Sequence, residues 1–123
     1  MPTPPAMCIT PQEGKALCDQ WNSTRAQYIE TAEGFKDTCE FNMSIADLQA
    51  YIDYVKAEST TQGIENPGIR VYFAAYSQGP QAKATVMMSP TVNGSSGAAN
   101  NYSIQPGNRQ QGRIPPTAYN PSN

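Results

Sequence analysis

The chain predicts an α+β fold, in which two helices pack on a short antiparallel sheet containing a β-hairpin, with an extended arm at the N-terminus and a tail at the C-terminus. Three observations carry this reading. Two segments of helical periodicity each open on a capping sequence. Two alternating segments follow, joined by a short loop. Polar, Pro- and Gly-rich stretches flank the whole. The division expected is an N-terminal arm over 1–9, a small domain over 10–90 and a polar tail over 91–123.

The first residues, MPTPPAMCI, are Pro-rich and read as extended. In TPQE, Thr10 suits an N-cap, Pro11 the first helical position and Glu13 a capping box. The helix is expected to run to about Thr31 or Glu33. Leu17, Cys18, Trp21, Tyr28 and Ile29 lie near one face, and Arg25 interrupts it. Gly14 in the first turn weakens this helix, because glycine loses the most backbone freedom there. Gly34 suits its termination.

Thr38–Met43 is expected to form a short strand. Ser44 caps a second helix with Asp47 at its positive end. Ile45, Leu48, Ile52 and Val55 form its apolar stripe, flanked by Tyr51 and Tyr54, and Gly63 closes it beyond Thr61. After the ENPG turn, Ile69, Val71, Phe73 and Ala75 alternate with Arg70, Tyr72, Ala74 and Tyr76, which marks a strand. Alternation resumes at Ala82, Ala84, Val86 and Met88. The loop Ser77–Gln81 makes the two a hairpin. A lone hairpin is marginal in water, so a further strand and the helix faces are expected to support it.

Residues Trp21–Arg25 (WNSTR), Ser44–Ser59 (SIADLQAYIDYVKAES), Gly68–Tyr76 (GIRVYFAAY) and Thr85–Thr91 (TVMMSPT) resemble, in this order, a family of small uncharacterised bacterial proteins. In that family a Trp-bearing helix, an S-x-x-D-L helix and a G-[IV]-R-[VI]-Y-[FL]-G strand precede a second strand and a polar, variable tail. The resemblance spans about residues 17–92 and departs at Ala74, where the family carries Gly. It supports the fold and implies no chemistry.

Composition narrows the function. No run of about 18 apolar residues exists to span a bilayer, and no signal-peptide pattern opens the chain, so a cytoplasmic protein without a membrane segment is the expectation. Residues 1–89 hold six basic side chains against all ten acidic ones, a net of −4, while residues 90–123 add only Arg109 and Arg113. An acidic body disfavours nucleic acid, whose phosphates need a basic surface. Cys8, Cys18 and Cys39 lack CxxC spacing, and the chain has no histidine, so neither a zinc site nor any other cofactor is expected. A thiol nucleophile would have only a carboxylate or lysine as its base. Cys18 reads instead as a small buried hydrophobe, and Cys8, in the arm, as able to pair across subunits. The carboxylate couples Glu30/Glu33 and Asp47/Asp53 read as solvated helix faces, and NGSSG (Asn93–Gly97) lacks the Lys and the helix of a phosphate loop. No enzymatic activity is expected.

Arg70, Tyr72 and Tyr76 share one sheet face. That face is expected to pack a helix, with Arg70 bridging Asp47 or Asp53, or else to bind a small molecule or peptide, since Arg and Tyr are enriched at interface hot spots. The tail carries few sizeable apolar groups: Val92, Tyr102, Ile104, Ile114 and Tyr119. Their burial returns less than the entropy of ordering the segment, so the tail is expected to be disordered alone. It would become ordered only against another surface, where Tyr102, Ile104, Arg109, Arg113, Ile114 and Tyr119 would make the contacts. The functional expectation is therefore a structural or protein-interaction subunit, a homo-oligomer or a protein's partner, tied together by its arms.

Overall fold

The computed structural model describes residues 2–77, 83–108 and 119–121. It shows an α+β protein whose elements run α1 (Pro11–Ser23), α2 (Arg25–Glu33), α3 (Ile45–Thr61), β1 (Gly68–Ala75) and β2 (Ala84–Thr91). The chain divides into two compact units, Met1–Cys39 with Ile114–Asn123, and Glu40–Arg113.

In the first unit the capping signal acts as its sequence implies. Thr10 Oγ1 accepts the Glu13 N–H at 3.1 Å, with Pro11 opening α1. The single long helix expected is broken at Thr24, whose φ of −123° and ψ of −85° are not helical. The Thr24 hydroxyl donates to the Gln20 carbonyl, the acceptor its own backbone N–H would use, and that N–H turns instead to Trp21 O at 3.3 Å. Asn22, Ser23 and Thr24 are all weak helix formers, so the break costs little. Gly34 ends α2 in the left-handed region at φ 83°.

The apolar stripe expected on this helix is largely uncovered. Leu17 and Tyr28 are exposed, and Cys18, read as a buried hydrophobe, is exposed as well. Among the described residues, this unit contains no strand for the stripe to pack on. Gly14 has a positive use here: a Cβ at this position would sit 3.2 Å from the ring of Tyr119, so its absence admits that ring.

In the second unit, Ser44 Oγ accepts the Asp47 N–H at 2.9 Å and starts α3. Gly63, at φ 76°, follows its end. α3 buries Val55 and Ser59, one turn apart. Thr38–Met43 is not a continuous strand; Glu40 holds a single bridge position. Asp37 Oδ1 takes the Thr38 N–H at 2.7 Å and diverts that donor from any ladder. β1 and β2 form the expected antiparallel hairpin, with Arg70 opposite Ser89, Val71 opposite Met88 and Phe73 opposite Val86.

The support this hairpin needs comes from the segment expected to be a disordered tail. Met88 and Gly107 exchange backbone bonds at 2.7 and 2.9 Å. Val92 N–H donates to Ala99 O at 3.0 Å, and Asn101 N–H to Pro90 O at 2.8 Å. Residues 99–107 thus line the outer side of β2. Ile104, from this segment, is 2% exposed and with Val55 forms the centre of the core. These residues find within their own chain the surface that their ordering requires, since their backbone groups pair with the free edge of β2.

Candidate interaction surface

β1 presents two different faces, and the alternation of its sequence decides which residues each carries. On one stand Arg70, Tyr72 and, just beyond the strand, Tyr76. On the other stand Ile69, Val71 and Phe73.

The Arg70 face closes on the chain's own C-terminal segment. Arg70 donates to Asn100 Oδ1 at 2.7 Å, to Ala98 O at 2.8 Å and to Ser96 O at 2.9 Å. A guanidinium suits this task, because its planar fork presents several donors in fixed directions. The acid bridge expected for Arg70, to Asp47 or Asp53, does not form. Asp53 instead accepts from Gln49 at 2.9 Å, one turn back on α3. Asn100 Nδ2 donates to Tyr72 Oη at 2.7 Å, and Tyr76 Oη donates to Asn108 Oδ1 at 3.1 Å. All three residues singled out on this face therefore hold residues 96–108. A ligand binding here would have to displace that segment.

The remaining expected contact residues separate. Tyr102 is 89% exposed, and its hydroxyl accepts from Asn100 Nδ2 at 3.4 Å. Ile104 is core. Tyr119 belongs to the first unit, against Gly14. Arg109, Arg113 and Ile114 lie outside the described residues.

Two residues that hold the segment have no counterpart among the expected contacts. Tyr51 Oη lies 3.2 Å from Met88 O and 3.1 Å from Gln105 O, and donates its one proton between them. Gln105 N–H donates to Tyr54 Oη at 3.3 Å. Burial, reinforced by the neighbouring Tyr54, pushes the Tyr51 hydroxyl above the usual tyrosine range. Their position beside the stripe of α3 was the available signal, since a tyrosine flanking an apolar stripe places its hydroxyl at the border of the core.

The opposite face of β1 is open. Val71 is 60% exposed and Phe73 91%. Its backbone edge is open too. Because Met88 bonds outward to Gly107, antiparallel alternation makes Tyr72·Met87 and Arg70·Ser89 the hydrogen-bonded pairs of the hairpin. The same parity holds at the loop end, where Tyr76 N–H reaches Lys83 O at 3.0 Å. The N–H and C=O groups of Ile69, Val71 and Phe73 consequently point away from β2, and among the described residues nothing bonds them.

An open cleft of about 330 Å³ lies in the first unit beside Trp21, Ile29, Glu30 and Cys39. Among the described residues no group of three or more His, Cys, Asp or Glu is placed to hold a metal ion, and no helix is long and apolar enough to cross a membrane. Comparison of the chain with protein-family models, with curated proteins and with solved structures finds no match.

Proposed function

We propose that this protein is a non-enzymatic structural or protein-interaction subunit that associates with further copies of itself or with another protein. The observation that carries this reading is the apolar surface left uncovered: Phe73, Val71, Ile45, Tyr28 and Leu17 are all exposed, while the buried apolar residues among those described are Val55, Pro90, Ala98 and Ile104. Val71 and Phe73 stand side by side on one face of β1, and neighbouring apolar side chains that face water mark surfaces that another macromolecule covers. The Pro-rich arm, exposed throughout residues 2–9, offers a further extended tie.

Light scattering on the intact chain over a range of concentrations tests the proposal. A mass rising above the 13.3 kDa of one chain supports self-association. A single-chain mass at every concentration, with no protein recovered on the immobilised chain, overturns the reading.

A further inference from the structure

We infer that the open edge of β1 is the contact between subunits, and that it pairs antiparallel with β1 of a second copy of this chain about a two-fold axis at Val71. This rests on the self-association proposed above and names its surface and its occupant.

The edge asks for a strand. Ile69, Val71 and Phe73 direct outward, in an alternating row, backbone donors and acceptors that no described residue pairs, which is the template on which another strand adds. The devices that normally blunt such an edge are missing from it. β1 has no proline and no bulge, and its one charge, Arg70, is tied to Asn100, Ser96 and Ala98 of its own chain. The apolar side chains rise along the same row, from Ile69 at 36% exposed through Val71 at 60% to Phe73 at 91%.

The strand is complementary to itself. A two-fold axis at Val71 sets the two valines opposite each other and Ile69 opposite Phe73 of the partner subunit. These are the pairs that exchange backbone hydrogen bonds, because all three residues face outward. An aliphatic–aromatic cross-strand pair thus forms twice by symmetry. On the other face Arg70 stands opposite Tyr72 of the partner subunit, so like charges do not meet. The strand bears no other side chain charged at neutral pH, so self-pairing meets no electrostatic penalty.

Closure at two copies follows from the other side of the sheet. The outer edge of β2 is already bonded to residues 99–101 and 107 of the same chain. With β1 the one open strand edge among the described residues, pairing yields a closed, two-fold dimer with four hairpin strands in one sheet rather than a growing fibre.

Sedimentation velocity on the intact chain tests this, with far-UV circular dichroism to confirm the fold. Val71→Pro removes an outward N–H and leaves the bonds to β2 in place. Phe73→Lys alters only an exposed side chain. The wild type should dimerise, each variant should raise the dimer Kd by about tenfold or more, and Gln20→Lys, exposed in the first unit, should leave it unchanged. Ile69→Lys and Phe73→Asp should each weaken the dimer alone and restore it when mixed, since position 69 faces position 73 across the axis. Dimers that persist in folded Val71→Pro and Phe73→Lys overturn the β1 contact while leaving self-association standing. A wild type that stays monomeric overturns both. Absence of rescue on mixing overturns the register.

Discussion

Arg70 shows how one side chain organises a segment that has little hydrophobic content of its own. Its guanidinium takes two backbone carbonyls and an amide oxygen that would otherwise face the sheet unpaired. Gly68 acts at the same end of β1 by having no side chain. A Cβ there would lie 2.5 Å from Thr91 Oγ1 and 2.6 Å from the backbone oxygen of Asn93, which cannot move aside without shifting the chain. Gly68→Ala should therefore lower stability by roughly 1–3 kcal/mol, read from urea denaturation. An unchanged midpoint would show that the approach of Asn93 is not needed. Tyr51 provides a pH signature. Its hydroxyl holds a proton more tightly in the folded chain than in the unfolded one, so above the ordinary tyrosine value the unfolded form ionises first. This contribution is intact below about pH 10 and is lost as the pH rises past it. Denaturation at pH 8 and pH 10.5 should show a smaller alkaline loss for Tyr51→Phe than for the wild type.

At the scale of elements, the caps set where helices start, and local side-chain chemistry sets where they break. Thr24 is the case in point: its hydroxyl competes for the Gln20 carbonyl and divides α1 from α2. Thr24→Ala removes the competitor and adds a better helix former, so helicity by far-UV circular dichroism should rise and stability should increase by a few tenths of a kcal/mol. A falling signal would assign the break to packing instead. The hairpin is a different kind of element. Its strands are legible from alternation, but its support is not, because a two-stranded ribbon does not carry its own stability. The support expected from a strand at Thr38–Met43 comes instead from residues 99–107, through two isolated bridges to β2.

For the whole molecule, that displacement moves the boundary of the folded body. The second unit runs to Arg113, well past the hairpin where the composition turns polar. A chain ending at residue 92 should lose the cooperative unfolding transition of this unit, since Val55 would lose Ile104 as its fellow core residue. A chain ending at residue 108 should keep it. Calorimetry on the two, beside the intact protein, distinguishes these outcomes, and a sharp transition in the shorter chain would refute the role given to the segment. The same arrangement covers the outer edge of β2 and leaves β1 as the open one, which directs association to one side of the sheet.

The sequence by itself determined the two caps, the course of α3, both hairpin strands and the faces of β1, because each depends on interactions between residues a few positions apart. Periodicity also singled out Arg70, Tyr72 and Tyr76 as a group with a shared task. Only the tertiary structure decided what that task is. Arg70 bonds across about thirty residues to Asn100, and Tyr51 across more than fifty to Gln105; composition and local spacing carry no signal at such separations. The polar segment after Thr91 is ordered for the same reason: its stability comes from backbone groups meeting an edge that exists only once β2 has formed. The exposure of Val71 and Phe73 was equally invisible. Alternation marks a face as apolar, but whether the chain covers that face or leaves it for another molecule depends on where every other element comes to lie.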